Sequence, residues 1–586
     1  MKKLIFPLIL LSFLFSSCTD SKNTDKNQSQ EQTIKGDRVY GGTLRVNENA
    51  PYLSLYPHSI TDLVSSHVAS QIYEGLVKLN PRDLSVVASL AGNWDIDTSG
   101  TIYTFFLKKG VHFQNDPCFP GGKGPELKAK DVKYSFELLC TQSQYNYSFA
   151  ATFKDRVLGA AKYYEASANG APAFGLEGIK IIDDYTVQVI LEKPSTSFIY
   201  ILTQPVAAII AKEAVDHYGN MLKIGTGPFV YAKNESPEEK AVLVRNEFYH
   251  AADSLGNQLP YLDSVIFTFI DTKKAELVAF QNGALDILIG LPAESIKEVV
   301  ENKISDFQKQ PPKYILDRLP EMETQYYEFN TVSSVFKEKK IRQAFSYAID
   351  RERILNDVLK GEGYGPGIHG ISPPSFKGYD ISKIAGYSHD AVKAKKLLAE
   401  AGYPNGKNFP TIKLELNSGG SKHIVVGLEI ARQLRSILNV NIELEIVPFA
   451  VKLENAKYGR GDIFRTGWVA DYPSPENFLA VLYGKSVPKA ADAPSFPNVP
   501  RYTSAEYDRL FELGVNAKSI QEGYDYFLQA ENVMIEDAPV MVLWYDEKYR
   551  VYQSNIKNYY SNPMNYWDFS EVFKAPATEK KEEAKK

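Results

Sequence analysis

Residues 411–447 read TIKLELNSGGSKHIVVGLEIARQLRSILNVNIELEIV, and the period of the apolar residues changes twice within them. Ile412, Leu414 and Leu416 alternate, residues 422–438 carry helical spacing, and Ile442, Leu444 and Ile446 alternate again. Two strands of like direction need a crossover helix between them, so the stretch predicts a βαβ unit and an α/β fold. The next apolar run, Asp462 to Val469, predicts a further strand that leads into Asp471. Open α/β sheets bind ligands beyond the carboxyl ends of their strands, which makes Trp468 to Asp471 a candidate site on physical grounds alone.

Outward from this unit, alternation predicts strands over 103–108, over 186–191 after the turn pair Asp183 and Asp184, and over 265–270. Residues 339–360 read as one helix with Ile341, Phe345, Ala348, Leu355 and Val358 inward and Gly361 as its stop; Ala391–Ala401 reads as another, stopped by Gly402. No repeat of fixed period occurs. With 586 residues, 44% apolar and 23% charged, the chain is too long for one core and fits two or three globular units. Its 37 Tyr and 31 Phe offer more amphipathic ring surface than a scaffold needs, which points to a binding cleft.

The charge and the missing motifs exclude several functions. A formal charge of -5 gives no basic footprint, so no nucleic-acid partner is expected. There is no Gly-x-Ser-x-Gly elbow, no phosphate loop ending Gly-Lys-Ser/Thr and no His-Glu-x-x-His helix, and the eight histidines are scattered singly. No metal site, cofactor or enzymatic activity is expected. Gly365, Gly367 and Gly370 match Gly-x-Gly-x-x-Gly, but Pro366 intervenes and a helix precedes them, the wrong context for a dinucleotide turn. Asp183 and Asp184 read as turn formers rather than an acid/base couple.

The first seventeen residues form a signal peptide: Met1, Lys2 and Lys3, then an apolar or small run from Leu4 to Ser17 that is too short to span about 30 Å of hydrocarbon. Leu14 to Cys18 resembles a bacterial lipobox, with Phe15 where leucine is usual and Leu14 one place further out; the alternative is ordinary cleavage near Ser17. Cys18 is therefore the expected lipidation site, and the almost wholly polar residues 19–38 the expected tether, reaching on the order of 25 Å as a coil. Loss of Lys2 and Lys3 takes the formal charge from -5 to -7. Cys118 and Cys140 remain, and in an exported protein a disulfide between them is the natural expectation, worth about 3 kcal/mol, against the alternative of two unpaired thiols. The end of the chain, 575–586, reads as a frayed tail.

Short motifs run along nearly all of the mature chain, from Gly41 to about Phe573: Gly41–Val46, Ile72–Val77, Leu90-Ala91 with Trp94, Tyr103–Phe105, Gly110–Phe113, Ala129–Val132, Tyr134–Phe136, Gly225–Phe229, Ile341–Ala344 with Ala348–Arg351, Lys395–Gly402 and Gly467–Tyr472. In order and spacing they resemble the family 5 extracellular solute-binding proteins of ABC transporters, which include the oligopeptide- and dipeptide-binding proteins. The resemblance implies a periplasmic binding protein-like fold of type II, cluster C: two lobes around a hinged cleft plus an inserted domain. It implies a discontinuous domain I (39–73, 212–322 and 547–574), an inserted domain II (74–211) holding both cysteines, and a domain III (323–546). The implied protein is a monomer at the bacterial cell envelope, on the periplasmic side, lipid-anchored through Cys18. It would pass short peptides to an inner-membrane ABC permease and its ATPase.

The resemblance also assigns residues. Asp471 matches the aspartate that holds the ligand's α-ammonium in peptide-binding members; a buried ammonium needs such a partner. The alternative is a helix-capping or turn aspartate ahead of Pro473. Gly467 and Val469 match positions whose backbone pairs with the peptide, which is strand addition in a cleft. Trp468 would wall a side-chain pocket or pack in the core, and Arg465 would meet a ligand carboxylate or form a surface ion pair. Tyr326 and Tyr545 match cleft tyrosines near the domain joins, and Tyr145 and Tyr147 are candidates from the inserted domain. Gly290 stands where oligopeptide binders have a cleft asparagine. Other readings are the same fold binding an oligosaccharide or metal chelate, an exported enzyme, or a helical glycan-binding lipoprotein.

Overall fold

The computed structural model describes residues 34–232, 239–291, 295, 304–308, 312–418 and 421–576. The signal peptide, Cys18 with most of its tether, and residues 577–586 lie outside the described residues.

The central sheet is built on two long antiparallel strands, Tyr314–Phe329 and Val540–Gln553. In order across the sheet come Ile287–Ile289, Val540–Gln553, Tyr314–Phe329, Ile463–Val469, Ile412–Asn417 and Ile442–Val447, with Gly365–Pro366 added on Val540–Gln553. Residues 540–546 are buried without alternation, the mark of a strand covered on both faces. The pairing of the long strands is interrupted twice, between Pro320 and Thr324 and between Gln325 and Tyr326. Such bulges bend a strand and increase its twist.

The βαβ unit forms as its periodicity requires. Ile412–Asn417 and Ile442–Val447 pair in parallel from Ile412 opposite Ile442 to Asn417 opposite Val447. The helix Ser421–Leu438 covers them with Val426, Ile430, Leu434 and Leu438, all buried in one cluster with Leu414, Leu416 and Ile442. Burial of each such side chain contributes about 1.5–3 kcal/mol. Gly427 lets the helix settle on the sheet, since a Cβ there would lie 2.7 Å from Leu416 Cδ1.

A four-stranded sheet joins Thr43–Glu48, Ser264–Phe269, Lys240–Arg245 and Phe229–Tyr231, and a second joins Ala91–Ile96, Ile102–Leu107, Thr186–Ile190 and Ile179–Asp183. The first is tied to the edge of the central sheet through Asp286: its N–H donates to the Arg45 carbonyl (2.9 Å) and its carboxylate accepts from the Arg45 N–H (2.8 Å).

Two expectations change. The helix expected over 339–360 is interrupted: Lys339–Ala348 ends at Ile349, which is extended, and Asp350 restarts the chain as an N-cap that accepts from the Arg353 N–H at 3.0 Å. An apolar stripe is blind to a capping aspartate that competes for backbone donors. Cys118 and Cys140 are free rather than paired. Cys140 caps the helix Ala129–Leu139 and is fully buried, whereas Cys118 is only half-buried in the loop after Ile102–Leu107, its N–H donating to Asp116 at 2.8 Å. Burial pushes both thiols up, Cys118 to about 12. The glycines 365, 367 and 370 form no phosphate loop: Gly365–Pro366 pairs with Trp544 and Tyr545, and a Cβ on Gly370 would strike the Glu531 carboxylate.

Candidate functional site

The site grows from the strand Ile463–Val469. One edge pairs along its length with the long strand, from Phe329 opposite Ile463 to Glu323 opposite Val469. The other edge meets Ile412–Asn417 only at Ile463 and Phe464, so among the described residues the edge from Arg465 to Val469 is open. The N–H of Ala470 donates to the Met322 carbonyl at 2.9 Å, which turns the even-numbered backbone groups toward the paired strand. The Arg465 carbonyl faces the opposite way and accepts from Lys452 Nζ at 2.9 Å. Gly467 and Val469 share that free edge.

The chain then turns at Asp471, and the turn is held by a single side chain. Asn477 Nδ2 donates to Asp471 Oδ2 (2.9 Å), while Asn477 Oδ1 accepts from the Asp471 N–H (3.0 Å) and from Trp468 Nε1 (2.8 Å). Asp471 is not a helix cap: the helix Glu476–Leu479 starts from Pro475 without a side-chain cap. Its carboxylate forms no ion pair among the described residues. It keeps surface open to a cleft yet lies deep enough for burial to raise its pKa, opposed by the Asn477 hydrogen bond. The cleft is a cavity of about 320 Å³ bounded by residues from 60–70, 203–206, 469–473 and 564–567 together with Leu79. Gln204 reaches across and donates to the Asp471 carbonyl at 3.1 Å. On the far wall His67 stacks on Trp567 at 4.0 Å, with its ring nitrogens against Glu48 and, at 2.7 Å, the Asn565 carbonyl.

Two further cavities flank the strand. One, about 320 Å³, lies against Thr466 and Trp468 and reaches Tyr326, Glu328 and Lys452. The other, about 390 Å³, lies against Arg465 and is charged, with Glu323, Asp546, Lys422 and His423 in its wall. There Gln325 Nε2 donates at 2.7 Å to both Glu323 and Asp546, and burial together with the Asp546 charge holds Glu323 above the ordinary carboxylate range. Arg465 forms no ion pair among the described residues; its guanidinium binds the Gln325 amide oxygen. Burial lowers its pKa. A cavity of about 610 Å³ sits apart beside Phe280–Gly283 and Gln553–Asn555.

The structure therefore brings Asp471, Val469, Gly467, Trp468 and Arg465 to one strand edge, with Tyr326 behind it. Tyr326 is buried, and its hydroxyl has no partner among the described residues. Tyr545 is elsewhere: its hydroxyl donates to the Gly370 carbonyl (2.9 Å) and accepts from the Gly370 N–H (3.1 Å), and it lines none of these three cavities. Tyr145 and Tyr147 are exposed on a loop that bonds His58 and Ser59, short of the cleft lining. Gly290 lines the charged cavity at φ +71°, a conformation that glycine and asparagine tolerate. Asn477, Glu328, Lys452 and Gln204 were not legible from motif or spacing; only the fold brings them to the strand.

Among the described residues no group of three or more His, Cys, Asp and Glu could hold a metal ion, and no helix is long and apolar enough to cross a membrane. The geometry suits holding a cation at Asp471 and an extended backbone along 467–469.

The chain is 24% identical over 581 residues to heme-binding protein A of Haemophilus influenzae, covering 96% of this chain and 97% of that protein. It is 23% identical over 512 residues to the dipeptide-binding protein of Escherichia coli, covering 86% and 88%. Among solved structures, the periplasmic binding protein DppA from Helicobacter pylori, in complex with the peptide STSA, superposes with a TM-score of 0.69 at 24% identity, over 92% of this chain and 99% of that one. The fold is thus the α/β periplasmic binding protein fold. Residues 85–489 match the model of the bacterial extracellular solute-binding proteins, family 5. The chain belongs to that family, as the solute-binding component of an ABC importer and not an enzyme.

Proposed function

We propose that this protein captures short peptides in the cleft at Asp471 and delivers them to an inner-membrane ABC permease. The observation that carries this reading is the Asp471 carboxylate, oriented by Asn477 at the cleft and without a cationic partner among the described residues. A ligand α-ammonium supplies the missing charge. The open edge at Gly467 and Val469 then takes the peptide backbone, Trp468 walls one side chain, and Arg465 meets a ligand carboxylate. Tyr326 stands behind the edge, while Tyr545, Tyr145 and Tyr147 lie away from it. The names of the Escherichia coli and Helicobacter pylori relatives support a peptide ligand.

On this reading the chain has three domains, 39–73 with 212–322 and 547–574, 74–211, and 323–546, and the long strands are its hinge. Their bulges fall beside the joins at 322/323 and 546/547. The mature protein is anchored through a lipid on Cys18 at the cell envelope.

The test is mass spectrometry of what denaturation releases from a soluble form starting near Gly36, beside an Asp471→Ala variant. Peptides from the wild type, absent from the variant, and tight binding of free-amine but not acetylated peptides are expected. Release of heme, as the name of the Haemophilus influenzae relative suggests, or of a sugar or chelate, overturns the reading.

A further inference from the structure

A peptide laid on the open edge of Ile463–Val469 continues the sheet, so its successive side chains point alternately to the two faces. The faces are unlike. On the Arg465 side lies the charged cavity, whereas on the Thr466 and Trp468 side Phe449, Trp468 and Phe496 wall the other chamber. Within the aromatic chamber stands Glu328, only 3% exposed. One of its oxygens accepts from the Thr466 hydroxyl at 2.6 Å, and the other accepts no hydrogen bond among the described residues. The neighbouring ammonium of Lys452 does not fill it; that group donates to the Arg465 carbonyl instead. Burial lifts the Glu328 carboxyl to about 7.

Each kind of ligand side chain meets this chamber differently. A cationic tip meets Glu328 but also Lys452, Lys457 and Arg465, and an anionic tip meets those cations but also Glu328, so neither finds a chamber of opposite sign. A purely apolar tip fills the aromatic walls but removes water from an oxygen that then has no donor, which costs free energy. A ring bearing a neutral donor satisfies both requirements.

We propose that this chamber is a specificity pocket for one aromatic ligand residue with a neutral hydrogen-bond donor, tyrosine foremost, whose hydroxyl donates to Glu328. The inference rests on the peptide reading and assigns the side chain that the peptide carries.

The test is calorimetric titration of the mature protein, freed of ligand, with trialanine and with tripeptides in which each position in turn is Tyr, Phe, Lys or Glu. At one position Tyr should bind about five-fold more tightly than Phe, the scale of one net hydrogen bond, and more tightly than Lys or Glu. Glu328→Met should abolish the preference for Tyr over Phe there while retaining Phe-peptide binding. Glu328→Gln, which keeps an acceptor, should preserve it, and melting curves establish that both variants are folded. Equal binding of Tyr and Phe at every position, a preference untouched by Glu328→Met, or selection of Lys or Glu overturns the pocket. Trialanine binding that depends on the free amine separates the two readings: retained without a Tyr preference it overturns the pocket alone, and absence of any peptide binding overturns both.

Discussion

Asp471 and Asn477 form a unit in which the amide does what a lone aspartate cannot, orienting one carboxylate oxygen while fixing the turn and the Trp468 indole. Asn477→Ala leaves the carboxylate unrestrained, and a loss of about ten-fold in peptide affinity is expected by calorimetry. Protons compete with an ammonium for ionised Asp471. Because burial raises that carboxyl, affinity should fall as pH drops through a range above that of ordinary aspartates, and Asp471→Asn should give weak binding without this dependence. A second carboxyl titrates with folding. Glu531 is fully buried, accepts from the Ile371 N–H (2.8 Å) and the Tyr379 hydroxyl (3.0 Å), and is lifted by burial from 4.5 to about 7. Between these values the folded protein holds a proton that the unfolded chain has lost, so stability declines as pH rises through the window. The effect reaches about 3 kcal/mol. Glu531→Gln should flatten the pH dependence of thermal unfolding between pH 5 and 8 and raise the melting temperature at the upper end.

Elements were legible wherever one period governed them. The βαβ unit follows from Leu414, Leu416, Val426, Ile430 and Ile442 because sheet and helix faces bury the same residues that set the pattern. The 339–360 segment departed from its pattern at Asp350, where a local hydrogen bond outweighed continuity of the apolar stripe. The site divided along the same line: Gly467 to Asp471 are contiguous and readable, whereas Glu328, Gln204 and Asn477 depend on pairing register and turn geometry. The cysteines show the limit of compartment arguments. Cys140 at the end of Ala129–Leu139 belongs to the core alongside Phe136 and Leu139, and free cysteine packs as a small apolar residue. A reducing agent should therefore leave the melting temperature of the oxidised, purified protein unchanged, whereas loss of a native disulfide would lower stability by 2–5 kcal/mol.

At the scale of the whole molecule, the central sheet crosses the expected joins, and on the proposed three-domain reading motion of one lobe against the other is taken up by Tyr314–Phe329 and Val540–Gln553 near their interruptions. Polar contacts across the cleft include Gln204 to the Asp471 carbonyl at 3.1 Å, the Thr196 N–H to the Val515 carbonyl at 3.1 Å, and Lys377 to Asp83 at 3.6 Å, and beside them Tyr200 shares a buried apolar cluster with Phe478 and Tyr524. The lysine pair is exposed and contributes little. A ligand that touches both walls shifts the population between open and closed forms by its differential affinity. Solution scattering should show a smaller radius of gyration once peptide saturates the protein, and the same radius with and without peptide would place the ligand outside the hinge-coupled cleft. Gln204→Ala removes a contact made only when the walls meet. It should weaken peptide binding about three- to ten-fold, chiefly through faster release, and leave the melting temperature of the empty protein nearly unchanged.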